Sequence, residues 1–197
     1  IHHAYRERHA SRVPWPALHY VGIDLVPSAL RQAGHNLSNM ASGFLGPVGD
    51  AWMTHPPIIS SFCQTDLNVP LPFADHQFDR IACHLALNFV DDPLTTLREL
   101  LRVLAPYGRL VFTMFKPQAN LASLCRSLFA CARDGTDQHL ASTLLRKTGT
   151  LREMEIQQQC RSFDAEELTR LLQACGVDRP RIFSSLADQA YLVVIEK

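Results

Sequence analysis

Between Phe62 and Phe115 short apolar runs alternate with one leucine stripe at helical spacing, and that order leaves few folds open. Ile58 to Cys63 is β-branched and apolar, and Asp66 follows its end. After a turn stiffened by Pro70 and Pro72, Phe78 to Cys83 reads as the next strand, with His84 just past it. Pro93 to Leu104 places Leu94, Leu97, Leu100, Leu101 and Leu104 on one helical face. The pattern breaks at Ala105-Pro106-Tyr107-Gly108, where Pro forbids continuation and Gly permits a left-handed turn. Arg109 to Phe115 is then a buried strand. Strand, turn, strand, helix, turn, strand predicts an open α/β sheet, in which a ligand lies outside the carboxyl ends of the strands.

The flanking segments extend this pattern. Leu18 to Ile23 is a strand ending at Asp24, and Pro27 to Ala33 opens a helix with proline in its first turn. An acid at a strand tip shortly before a helix either accepts two hydrogen bonds from a ribose diol or caps the turn. Asp66 has the same two readings: a partner for an exocyclic amine, or a cap before Asn68. Asp91-Asp92-Pro93 is the start of a helix, with an acid at the N-cap and Pro just inside, so capping accounts for the adjacent acids better than a metal does. Asn36 to Pro57 is the least regular stretch, and its Gly43–Gly49 run reads as a surface insertion, since Pro47 removes an N–H that a phosphate loop would present.

From Pro117 to Cys160 the spacing is helical, and its leucine stripes read most simply as core-facing helices; the other reading is a lid, since an insertion after that strand overhangs the carboxyl-end crevice. Asp164 with Glu167 gives a capping box, Leu168, Leu171, Leu172 and Cys175 follow on one face, and Gly176 closes that helix. Arg181 to Ser184 and Tyr191 to Ile195 are expected to form an antiparallel pair.

Composition narrows the function classes. The 197 residues fit one domain, 47% of them are hydrophobic, and nineteen basic residues balance nineteen acidic ones. A formal charge of zero gives no field to hold nucleic acid. No run approaches the roughly 18 apolar residues of a membrane span. Six cysteines without a C-x-x-C pair, and nine histidines without metal spacing, point to a cytoplasmic or other reducing compartment and to no metal.

Taken together, Tyr20-Val21-Gly22-Ile23-Asp24-Leu25-Val26-Pro27-Ser28-Ala29-Leu30 resembles the second-strand motif of the class I S-adenosylmethionine-dependent methyltransferases. Asp66-Leu67 with Leu71-Pro72-Phe73 and Phe78-Asp79 resembles their next two motifs, and Pro93 to Leu104 with Tyr107-Gly108 and the following strand resembles the fourth. The resemblance runs from Tyr20 to Phe115 and resumes from Phe163 to Lys197. It implies a Rossmann-like, mostly parallel sheet flanked by helices, with a C-terminal antiparallel hairpin. The implied cofactor is S-adenosylmethionine and the implied partner a small-molecule methyl acceptor, with oligomeric state left open. Asp24 would hold the ribose hydroxyls and Leu25 would flank the adenine. Asp66 would bond the adenine amine, Leu67 would supply a backbone N–H, and Cys83 and His84 would lie beside the methionine part. Asn88 is a further candidate for substrate contact, and no catalytic base is assigned.

One part of the family pattern is missing. The glycine-rich loop belongs upstream of the helix that Ile1 to Ala10 would represent, and the strand before that loop is central in the family's sheet. Without it the strands ending at Asp24 and Cys83 would each leave a row of backbone groups unpaired, so residues 1–197 are expected to be an N-terminally incomplete domain. Two alternatives follow: a non-catalytic methyltransferase-like interaction module, and a nicotinamide-dependent dehydrogenase, which also places an acid at the second strand's end.

Overall fold

The computed structural model describes residues 18–44, 58–120 and 160–197. The expected helix at Ile1 to Ala10, residues 45–57 of the irregular stretch and nearly all of the helical insertion at 117–160 lie outside them. The chain divides into two compact units, Ile1–Asp66 and Leu67–Lys197.

In the first unit β1 (Leu18–Asp24) and β2 (Ile58–Gln64) run parallel, in register from Leu18 opposite Ile58 to Asp24 opposite Gln64. Helix α1 (Pro27–Phe44) connects β1 toward β2 and packs on both. Here the irregular stretch expected from Asn36 is corrected, because the helix continues through it to Phe44. Ser38 helps hold that part of the helix by donating to the Gly34 carbonyl at 3.0 Å. Gly22 is required by packing, since a Cβ there would fall 2.7 Å from the Phe62 ring. Apolar side chains on the pair remain exposed, Ile59 at 53%. Parallel strands normally bury both faces, and two strands alone are marginal in water.

In the second unit four strands pair in the order β3 (Phe78–His84), β4 (Leu104–Phe115), β6 (Ala190–Glu196), β5 (Arg181–Ser185). β3 and β4 are parallel, whereas β6 is antiparallel to both β4 and β5. The expected C-terminal hairpin is present. Among the described residues β1 pairs only with β2 and β3 only with β4, so each leaves one edge without a ladder.

Helix α2 (Pro93–Val103) forms because Asp92 accepts from the Leu94 N–H at 3.0 Å and Pro93 stands where its missing N–H costs nothing. Leu97, Leu100 and Val103 are buried, and the helix lies against β4. Thr96 is buried as well, satisfied by the carbonyls of Leu67 and Asp92. Arg102, on the same helix, ties down the proline turn through Asp75, Glu99 and the carbonyls of Leu71 and Phe73. Helix α3 (Ala165–Ala174) carries the full capping box between Asp164 and Glu167 and buries Leu168 and Leu172. Its carboxyl end meets α2, where Arg98 donates to the Ala174 carbonyl at 3.0 Å.

The turn expected at Ala105–Gly108 is instead a bulge near the start of β4, which follows α2 directly. While β3 advances from Phe78 to Arg80, β4 advances from Leu104 to Arg109, so the intervening residues bulge out of the ladder. The left-handed residue is Tyr107 (φ +61°), not Gly108. Gly108 is needed for a different reason: a Cβ there would lie 2.7 Å from the Ala105 carbonyl oxygen.

Candidate functional site

The two acids singled out in the sequence stand at the carboxyl ends of neighbouring parallel strands. Asp24 closes β1 opposite Gln64, and Asp66 lies two residues past the end of β2. The ladder continues beyond β2, since the Thr65 N–H donates to the Asp24 carbonyl at 3.1 Å. Gln64 also reaches across, its amide donating to the Leu25 carbonyl at 3.1 Å. The Asp24 carboxylate accepts from the Val26 N–H at 2.8 Å through Oδ1. That bond closes an Asx turn and fixes the side chain at the strand tip. The capping reading of Asp24 is thus met through one oxygen, and Oδ2 has no partner among the described residues. Leu25 is exposed beside it, and Asp66 is half-buried.

In the second unit β3 ends at Cys83 and His84. Cys83 is buried, and burial pushes its thiol up to about 11 despite hydrogen bonds from the backbone at Ala86 and Leu87. The group is a neutral thiol at physiological pH, unsuited to nucleophilic work. His84 is exposed and pairs in register with Thr113 of β4, whose hydroxyl oxygen lies 2.6 Å from Nδ1. Leu85, left-handed at φ +56°, then turns the chain into the short 3-10 helix Ala86–Asn88. Leu67 presents its carbonyl to the Thr96 hydroxyl at 3.2 Å.

Asn88 is placed otherwise than the sequence suggested. It is fully buried and joins three segments: Nδ2 donates to the Arg161 carbonyl at 2.6 Å, and Oδ1 accepts from the Phe115 N–H at 3.0 Å. Its backbone carbonyl accepts from the Arg161 N–H at 2.7 Å. Fully buried and bonded at both ends of its amide, this residue ties segments of the fold together. Thr113 is the residue that sequence reasoning missed, and a lone hydroxyl in the apolar strand Leu110–Phe115 was the available signal. Among the described residues no cluster of three or more metal-ligating side chains occurs, and no helix is long and apolar enough to cross a membrane.

Residues 7–112 match the family model described as a methyltransferase domain. Over 67 residues the chain is 37% identical to the malonyl-[acyl-carrier protein] O-methyltransferase of Halorhodospira halophila (strain DSM 244 / SL1). That match takes in 34% of this chain and only 21% of the relative. Among solved structures, the fold is similar to a putative S-adenosylmethionine-dependent methyltransferase from Methanococcus maripaludis, with a TM-score of 0.50 at 18% identity. The superposition covers 98% of this chain and 83% of that one. It is also similar to an arsenic(III) S-adenosylmethionine methyltransferase from Chlamydomonas reinhardtii, with a TM-score of 0.54 at 20% identity over 90% of this chain and 55% of that one. With the family model spanning more than half of its length, this chain belongs to the S-adenosylmethionine-dependent methyltransferase domain family.

Proposed function

We propose that the protein transfers a methyl group from S-adenosylmethionine to a small-molecule acceptor, with residues 1–197 as part of one methyltransferase domain that carries a helical insertion at about 117–160. The observation that carries this is the pair of acids at the carboxyl tips of two in-register parallel strands, Asp24 and Asp66. The open Oδ2 of Asp24 fits a ribose hydroxyl, because a carboxylate already fixed by the Val26 N–H loses little freedom on accepting a second donor. Asp66 would accept from the adenine amine, and the exposed Leu25 side chain would cover one face of the base.

On the second unit, taken by itself, Leu67 would contribute its backbone N–H, and Cys83 and His84 would border the amino-acid end of the cofactor. The cofactor supplies a methyl carbon already activated by a positive sulfonium, so the protein contributes placement of the acceptor and exclusion of water. A neutral Cys83 suits such a site, because burial suppresses the thiolate that would compete for the methyl group.

Zero net charge and the absence of any basic run support a small acceptor over nucleic acid. The curated relative is named for methylation of an oxygen on a malonyl group, which is consistent with an oxygen acceptor here. Among the described residues β1 and β3 each have one edge without a ladder, which supports the reading that a further strand belongs to the domain.

Calorimetric titration of the full-length gene product with S-adenosylhomocysteine tests the reading. Saturable binding that falls about tenfold or more in Asp24→Ala and Asp66→Ala is expected, the size of a lost charge-assisted hydrogen bond. Binding that ignores both substitutions would remove the adenosine site from these strands.

A further inference from the structure

The structure assigns a fixed tautomer to His84, and with it a role: we infer that Thr113 holds the imidazole as an Nε2–H donor, which receives a carboxylate oxygen of the ligand. The inference deepens the methyl-transfer reading and rests on it for the identity of that ligand.

Three atoms decide the tautomer. Thr113 is 5% exposed, so its hydroxyl hydrogen has no water to bond. Its hydroxyl oxygen already accepts from the Leu85 N–H at 3.0 Å, a donor shared with the Thr113 backbone carbonyl at 3.1 Å. Among the described residues the remaining neighbour is His84 Nδ1 at 2.6 Å. Were Nδ1 protonated, the hydroxyl would accept twice and its own hydrogen would be buried without a partner, an arrangement native interiors avoid. The hydroxyl therefore donates, Nδ1 accepts, and the neutral ring carries its proton on Nε2. The geometry is built by the fold. His84 and Thr113 are register partners on parallel strands, and the Leu85 N–H, one residue on, continues that pairing onto the Thr113 carbonyl and hydroxyl.

Two consequences follow. A neutral ring with Nδ1 occupied and Nε2 protonated has no lone pair to offer, so His84 is not the general base for the acceptor. What it presents, exposed at the carboxyl end of β3, is a single oriented N–H, and the partner of such a group is an oxygen acceptor. A carboxylate, which S-adenosylmethionine carries at its amino-acid end, is the strongest one. Thr113 is accordingly a positioning residue and His84 a binding residue.

Long-range proton–nitrogen correlation NMR on the full-length protein, at a pH where the ring is neutral, reads the tautomer directly. Nε2–H in the wild type, retained in Thr113→Ser and averaged between both nitrogens in the isosteric Thr113→Val, is expected. Nδ1–H in the wild type, or a signature indifferent to Thr113→Val, overturns the assignment. The ligand arm compares S-adenosylhomocysteine with 5′-methylthioadenosine, which lacks the carboxylate. His84→Ala should weaken the first about tenfold and leave the second unchanged. Equal effects on both probes, or none, remove the carboxylate role. A wild-type protein that takes neither probe sinks the methyl-transfer reading and the ligand role with it, while the NMR still decides the tautomer.

Discussion

At the scale of single residues, the buried polar groups carry the sharpest expectations. Asn88 bridges the turn after β3, the end of β4 and the segment leading into α3, with both ends of its amide bonded. Asn88→Ala leaves a buried N–H and a buried carbonyl without partners. Loss of about 2–4 kcal/mol in a urea unfolding curve is expected. Asn88→Asp should cost as much, since a carboxylate cannot donate to the Arg161 carbonyl.

Cys83 gives a pH prediction. Burial raises its folded value from 9.0 to about 11, so the native state holds a proton that the unfolded chain has released. That contribution is complete below pH 9 and lost as pH rises toward 11, about 2–3 kcal/mol in all. Cys83→Ala should flatten the alkaline limb of the stability profile. The same burial should protect this thiol from iodoacetamide at pH 8 until denaturant is added. The burial of Asn88 does not follow from local sequence, in which an asparagine near a strand end looks like a polar contact, whereas a cysteine inside an apolar strand is expected to pack.

At the scale of elements, ends and turns matter more than interiors. The α3 N-terminus was legible, because Asp164 and Glu167 satisfy orphan N–H groups by a spacing that needs no tertiary information. Asp164→Ala should lower stability by about 1–2 kcal/mol in the same unfolding assay, through loss of the bonds from the Glu166 and Glu167 N–H groups. The break at Ala105–Gly108 was legible in outline, but it is a bulge inside β4 and its left-handed residue was misassigned. A glycine at a turn suggests positive φ, yet the left-handed site fell to Tyr107, which is 93% exposed. The close approach of the Ala105 carbonyl had already claimed Gly108. Tyr107→Gly should therefore raise the melting temperature by relieving about 1 kcal/mol of backbone strain. Gly108→Ala should lower it, through the clash of a Cβ with the Ala105 carbonyl and not through a positive φ.

At the scale of the whole molecule, strand pairing sets a gradient of local stability. β4 and β6 are paired on both edges and carry the fully buried Leu110, Met114 and Val193. β1, with one ladder and exposed apolar side chains, has less to lose on opening. Hydrogen exchange followed by mass spectrometry should show amides of β4 and β6 among the slowest and those of β1 and β2 among the fastest strand amides. Equal protection across all six strands would contradict this picture.

Periodicity and punctuation determined which segments become strands and helices here. The leucine spacing of Pro93 to Leu104, the acid-proline start at Asp92, and the acids after two β-branched runs are local signals with local causes. They were sufficient to place Asp24 and Asp66 at strand tips. Only the tertiary structure decided the partnerships: Asp24 with Gln64, His84 with Thr113, and the Asn88 amide between Phe115 and Arg161. Those contacts join residues far apart along the chain, and their cost or benefit depends on burial, which exists only once the sheet has formed.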